Sequence, residues 1–398
     1  MSTVNFTVVR ADTKYVVDEN GDLSQVAVNV PSFEYNANGT YKGMLVESTS
    51  QNEIRNSEGG GSTNGVIGSG GVLPTNWGTA SLNGIGVEVI GTGTEKGIEY
   101  VDLKFSGTAT ATASFNVRFE GGSQTSAAQN DIWSGSVYMK YTDQTANPDL
   151  IRLGIVAFDA GLGVVSVDYE TVSVTSTLTR YKNENVELTD ATTASVNTVV
   201  YFTITNGQAY DFTVRFGLPQ LEEHPCATSV IKTTSAAVER LLDNIKKTSA
   251  TTYVGQTSGT IYAEVQIDQT ETPASYILQA SDATDDANWR ILLGNFNPNF
   301  NWQLRYGSGN TIAFTSAAST GNHKLALVYT DGDVRACLDG TQVGSSSTSW
   351  GDFTSNQLDT IYIGQAHFAT AGQFDNWIRA FAFYKRALSD NEAKILTQ

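Results

Sequence analysis

The sequence predicts an all-β protein: two β-sandwich (jelly-roll) domains in tandem behind an N-terminal extended arm. Three observations carry this. Apolar and polar residues alternate with period two along most of the chain, as in "IEYVDLKFSG" and "HKLALVYT", the pattern of a strand buried on one face. Turn residues punctuate these runs at short spacing. Charged residues make up 16% of the chain while Gly, Ser, Thr and Asn abound, a composition that suits sandwiches and not helical bundles.

At 398 residues the chain has room for two or three domains. Residues 1–58 hold short strand candidates, among them "TKYVVD", "QVAVNV" and "GMLVES". The turn "DENGDL" carries Asn20-Gly21, a hairpin signal. Large apolar residues are sparse here, so this arm is expected to pack on the next domain or on another chain.

The first sandwich is placed at residues 59–225, opening with the Gly-rich "GGGSTNGVIGSGGV". Gly91, Gly93 and Gly97 in "GTGTEKG" resemble a phosphate loop, but that loop needs a helix next. The period-two run that follows makes it a turn between strands. About nine strands extend from Trp77 to Arg215.

The stretch "FGLPQLEEHPCATSVIKT" then interrupts the pattern, and Pro219 and Pro225 give it the look of a stiff, extended hinge. Residues 226–248 are read as the linker. Within it Val238, Leu241, Leu242 and Ile245 have helical spacing; a short helix and an extended connector both fit. The second jelly roll occupies residues 249–398. It ends in a short helix capped by Ser389 with Glu392 three residues on, with Leu388, Ile395 and Leu396 as its expected packing residues.

The net charge of −17 argues against nucleic acid and anionic lipid as partners, because phosphate binding needs clustered Lys and Arg. Cys226 and Cys337 lie far apart, which suggests free thiols and synthesis in a reducing cytosol. No secretory leader pattern and no apolar run of ~20 residues is evident.

Two segments are familiar. "IGQAHF…FDNWIRAFAFYKRALSDNEAKIL" resembles the end of concanavalin A-like, laminin-G-like jelly rolls, where Tyr384, Arg386, Ala387, Leu388, Ser389 and Glu392 match a strand, turn and short helix. "VYTDGDVRACLDG" resembles the central hairpin of that family. "GLPQLEEHPCATSVIKTTSAAVER" resembles a segment of tailed-bacteriophage virion proteins that closes a carbohydrate-binding-module-like sandwich. Gln220, Leu221, Glu222, Ala227, Thr228, Ser229, Ile231, Thr233, Ala237, Val238 and Arg240 match it. "VPSFEYNANGTYKGMLVES" resembles the preceding arm of such proteins, with Ser32 where an Arg is usual.

These resemblances imply a non-enzymatic structural protein of a tailed-phage virion, made in the host cytoplasm. It would be a tail or neck fibre, or an adhesin whose lectin-like domains attach to host surface glycans. Homotrimers held to other virion proteins through the arm are expected, with no nucleic acid and no membrane insertion. A purely architectural capsid decoration protein and a polysaccharide-degrading tailspike are the rival readings.

Sugar recognition needs aromatic faces flanked by amide and carboxylate groups, because sugar C–H faces stack while hydroxyls take hydrogen bonds. "NFNPNFNWQLRYG" offers Trp302 and Tyr306 on one strand face, with Asn295, Asn297, Asn299 and Asn301 around them. Trp289, Trp350 and Trp377 are further candidates, and for all of these core packing is the competing role. No cofactor is expected, except calcium as a rim-loop ligand that the jelly-roll resemblance admits. Its candidates are Asp282, Asp285 and Asp286 in one loop and Asp352, Asn356 and Asp359 in another.

For glycan cleavage, Glu264 and Asp268 share a strand face and Glu271 falls on the other. Their spacing along the strand, ~13 Å, exceeds the carboxyl separation of glycosidases. The three histidines have no metal-ligand spacing.

Overall fold

The computed structural model describes residues 5–121, 125–268, 274–283, 289–296, 298–307, 309–351, 353, 357–367 and 372–398. These form antiparallel strands throughout, with one short 3-10 turn and one α-helix. The chain divides into two units, Ser50–Arg240 and Met1–Thr49 with Leu241–Gln398. The boundaries differ from those read in the sequence: the arm joins the C-terminal jelly roll, and most of the expected linker belongs to the other unit.

The unit Ser50–Arg240 is a sandwich of two six-stranded sheets. Phe105 and Phe212 from one sheet meet Phe115 and Phe202 from the other, with ring centroids 5.0–5.6 Å apart. The alternation of the sequence places these rings inward, where burial of aromatic area dominates core energetics. The glycines of "GTGTEKG" lie in a hairpin: Ile85–Glu95 pairs with Ile98–Thr108, and Lys96 and Gly97 both take positive φ at the turn. That two-residue geometry matches the twist of the strands it joins.

The stretch read as a hinge is instead part of this sandwich. The strand Ala209–Glu222 runs through Pro219. Its pairing with Ile132–Ala146 shifts register between Ser136↔Gln220 and Tyr138↔Gly217. This bulge at Leu218-Pro219 accommodates a residue that cannot donate to the ladder. The following residues fold back rather than lead away. Glu222, fully buried, accepts from Ser50 Oγ at 2.7 Å and from the Thr228 amide at 3.0 Å. Asn52 Nδ2 donates to the carbonyls of Pro219 and Ile231. The segment with helical spacing is extended: Val238–Arg240 pairs with Ser50–Asn52, and Asn244–Lys247 is a strand of the other unit.

In the unit Met1–Thr49 with Leu241–Gln398, two seven-stranded sheets enclose one core. The first sheet runs, in order, Thr7–Val9, Asn244–Lys247, Thr360–Ile363, Ser275–Ser281, Arg290–Phe296, Asn299–Tyr306 and Asn310–Ala317. The second runs Thr341–Ser346, Asp333–Leu338, Gly321–Thr330, Ser258–Ile267, Asn376–Tyr384, Tyr41–Val46 and Phe33–Tyr35. Arm strands therefore complete an edge of each sheet, which satisfies backbone groups an open edge would expose. The "DENGDL" turn joins the paired strands Lys14–Val17 and Leu23–Val26. Their Val16 and Val26 pack with Leu45 and Trp377.

The C-terminal helix Asp390–Leu396 has the expected capping box between Ser389 and Glu392. It packs through Leu388, Ala393 and Leu396 onto Ala326, Val328 and Cys337. Ile395, expected in that contact, is 60% exposed, because the short helix turns its face away. Both cysteines are buried, and no disulfide joins them. No described helix is long and apolar enough to cross a membrane.

Candidate functional site

The strand Asn299–Tyr306 separates the predicted sugar-binding residues onto opposite faces of the first sheet. Period-two alternation turns Phe300, Trp302 and Leu304 into the core and leaves Asn299, Asn301, Gln303 and Arg305 on the other side. Trp302 is 0% exposed, so its ring offers no stacking surface. Tyr306 packs on the same core, 6.4 Å from the Trp350 ring. Trp350 is buried, donating from Nε1 to the Thr330 carbonyl at 3.0 Å, and Trp289 meets Phe353 edge-on at 6.1 Å. Trp377 lies under Lys42 Nζ, 3.3 Å from the ring centroid, and donates to Glu34 Oε2 at 2.6 Å. These aromatics are packing residues. Asn299 and Asn301 do lie on the polar face; Asn297 lies outside the described residues, and the Asn295 side chain is buried.

The polar face is built by register. One row reads Tyr362, Gln279, Leu292, Gln303, Ala313. The next reads Thr360, Ser281, Arg290, Arg305, Thr311. On the other flank Tyr276 stands opposite Gly294, and Gly294 opposite Asn301. Gln279 and Leu292 are fully buried and Arg290 is 8% exposed, so these positions are covered and the face is not an open sheet surface.

The electrostatics of this face are unusual for so acidic a chain. Arg290 Nη2 donates to Gln303 Oε1 at 2.6 Å, while its Nε is buried without a hydrogen-bond partner. Among the described residues no carboxylate forms an ion pair with Arg290. Burial, and next the charge of Arg305, hold the Arg290 guanidinium below its ordinary pKa. The Tyr276 hydroxyl is raised by burial, with Arg290 and Arg305 pulling it back down. Gln279 Nε2 contacts His367 Nδ1 at 3.1 Å, leaving Gln279 Oε1 buried and unpartnered, as is Asn301 Oδ1. Donors and acceptors of this kind can take the hydroxyl and anionic groups of a ligand.

Of the calcium candidates, Asp285, Asp286, Asp352 and Asn356 lie outside the described residues. Asp282 and Asp359 both bear on the Tyr362 hydroxyl, adding to the larger effect of burial in raising its pKa. Asp359 Oδ1 accepts from Thr360 Oγ1 at 2.9 Å. The described residues contain no group of three or more acidic, His or Cys side chains that could hold a metal. Glu264 is ion-paired with Arg379 at 2.8 Å and Asp268 with Lys42 at 2.8 Å; Glu271 lies outside the described residues.

Sequence reading missed Arg290, Arg305, Gln279, Gln303 and Tyr276. The signal was present: polar residues alternate with core residues in "NWQLRYG" and "SYILQAS". Attention to aromatic rings selected the buried half of each alternation.

Residues 243–394 match the family model of the concanavalin A-like lectin/glucanases superfamily. Over this segment the C-terminal unit resembles a concanavalin A-like jelly roll, and the polar face lies within it. Among solved structures, the CBM40 of a Ruminococcus gnavus IT-sialidase is 15% identical, with 36% of this chain and 84% of that chain covered and a TM-score of 0.32. Domain 4 of AbnA, a GH43 extracellular arabinanase from Geobacillus stearothermophilus solved with arabinotriose, is 16% identical, with 44% and 82% covered and a TM-score of 0.33. Mouse laminin alpha1 chain domains LG4-5 are 14% identical, with 67% and 92% covered and a TM-score of 0.23. No curated protein matches the chain.

Proposed function

We propose that this chain is a non-enzymatic glycan-binding protein of a tailed-phage virion, with the polar face of its concanavalin A-like jelly roll as the glycan site. The observation that carries the reading is the match of residues 243–394 to the concanavalin A-like lectin/glucanases superfamily, together with unsatisfied hydrogen-bonding groups on Arg290, Gln279 and Asn301 set on one sheet. Unpaired buried polar groups cost stability, and a ligand that pairs them recovers that cost. The match of residues 243–394 to a lectin/glucanase superfamily supports the ligand class. The resemblance of residues 216–240 to virion proteins supports the setting.

In this reading the arm attaches the chain to other virion proteins. Val9, Val28, Val30 and Phe33 keep 43–48% of their surface exposed and supply an apolar contact for a homotrimer or a neighbouring protein.

The experiment is gold labelling of intact particles against this chain, paired with capture of host-surface polysaccharide by the purified chain. Label on the tail or neck together with saturable capture supports the reading. Label on the capsid with no capture makes the protein an architectural decoration. Release of reducing ends from the polysaccharide makes it a degrading spike.

A further inference from the structure

We propose that a groove between the two sheets of the C-terminal unit, flanked by arm strands, takes an extended segment of a partner polypeptide by β-strand addition. The segment it fits is neutral to acidic and apolar at alternate residues. This rests on the attachment role given to the arm above and names the kind of partner that role requires.

Three observations lead here. Thr7–Val9 is the first strand of one sheet and Phe33–Tyr35 the last of the other, so among the described residues each has one edge without a ladder partner. A groove of about 530 Å³ lies against both strands; Val8 and Phe33 line it together with Phe6, Met44, Ile245 and Ile378. Phe33 lines this groove yet keeps 48% of its surface exposed, as does Val9 in the edge strand. At the opposite margin the same two sheets are closed, for the Phe314 ring of Asn310–Ala317 occupies the place where a Cβ on Gly344 of Thr341–Ser346 would stand. Unpaired strand edges beside exposed apolar surface are a template for a further strand.

The chemistry of the groove selects its occupant. In strand addition, main-chain hydrogen bonds hold the peptide while alternate side chains enter pockets. Val8 lines the groove and its neighbours Thr7 and Val9 do not, so a strand laid beside them sends every second residue the same way. A lipid would fill the groove and leave both strand edges unpaired. The lining residues include no carboxylate, and their one cation is Arg379, in a chain of net charge −17. Arg379 donates from Nε to Glu264 Oε1 at 2.8 Å and from Nη1 to the Tyr41 carbonyl at 3.0 Å, and its Nη2 makes no hydrogen bond among the described residues. A carbonyl or carboxylate on the segment can take that donor; a lysine would find no carboxylate in the lining.

The test is fluorescence anisotropy of labelled peptides added to the full chain: TVTVTVE, the same peptide N-methylated at alternate residues, and TVTVTVK. Saturable binding of TVTVTVE supports the inference when it is about tenfold weaker for the N-methylated peptide, weaker for the lysine form, and accompanied by slowed amide exchange in Thr7–Val9 or Phe33–Tyr35. Phe33→Glu and Ala380→Trp, both at exposed lining positions, should each weaken binding about tenfold, and one serves if the other fails to fold. Unchanged affinity in the folded variants, equal binding of the N-methylated peptide, or no binding of any peptide overturns the inference. Self-association that TVTVTVE dissolves makes a second copy the occupant, and binding seen only after residues 1–4 are removed makes the chain's own start the occupant; either overturns the assignment to a partner. If no peptide binds yet Phe33→Glu protein is lost from particles, strand addition falls and the attachment role stands. If the peptide binds and the variant still enters particles, the attachment role falls and the inference stands.

Discussion

Asp243 accepts from Lys14 Nζ at 2.7 Å through one carboxylate oxygen, joining residues 229 apart in sequence inside the C-terminal unit. Its other oxygen accepts from Arg10 Nη1, also at 2.7 Å, and Lys14 Nζ lies 2.8 Å from Glu47 Oε2. All four side chains are buried. This knot fastens the arm beside the strand Asn244–Lys247, and it explains how an arm poor in large apolar residues becomes ordered.

Asp243→Ala should cost about 3–5 kcal/mol, because it leaves Arg10 with only the longer 3.8 Å ion pair to Asp12 and Lys14 with one acceptor fewer in a dry site. Urea unfolding should show the loss, and limited proteolysis should cut within residues 1–49 before the rest of the unit. An unchanged midpoint and an intact arm would contradict the role given to this residue.

Gly364 follows the strand Thr360–Ile363 with φ of 66°, and a Cβ there would stand 2.6 Å from Val46 Cγ1 in the arm. Gly364→Ala should therefore destabilise by about 1–3 kcal/mol through both backbone strain and overpacking. Thermal or urea unfolding checks it; a neutral or stabilising result would mean that Val46 is free to yield.

Glu392 is held well below the ordinary glutamate pKa of 4.5, at about 2, first by Arg386 and then by the Ser389 backbone and hydroxyl. Between those values the folded state holds fewer protons than the unfolded chain, so the helix is favoured above the upper value and weakens as pH falls toward the lower. Amide exchange at Ser389 should accelerate across that window. In Glu392→Gln the acceleration should disappear. A wild-type helix indifferent to pH between 5 and 2 would count against the capping box as its anchor.

Trp302→Ala should destabilise by about 3–5 kcal/mol, the cost of a large cavity in the core. Trp302→Phe should remain folded and keep its affinity for saccharide. If the Phe variant folds normally but loses binding, Trp302 contributes to the site in a way its burial does not allow.

The legible and illegible parts of the sequence divide along physical lines. Strand alternation is a local property, and so the sandwiches, the Asn20-Gly21 and Lys96-Gly97 turns and the Ser389 cap could be read directly. Pairing between distant segments is not local: nothing near Tyr41–Val46 shows that it will add to the strand Asn376–Tyr384, or that residues 226–240 fold back on the other sandwich. Pro219 misled because a proline in a bulge and a proline in a hinge look alike in one dimension. Trp302 misled because alternation shows that two faces differ without showing which one is wet. Arg290 was the better clue, since an arginine amid "NWRILLG" must either find a partner or wait for one.

Binding of the full chain to a glycan array tests the central claim most directly. The expected result is saturable binding to a defined set of glycans, competed by the same saccharides in solution. A blank array, from protein shown to be folded and carrying its arm, would contradict it.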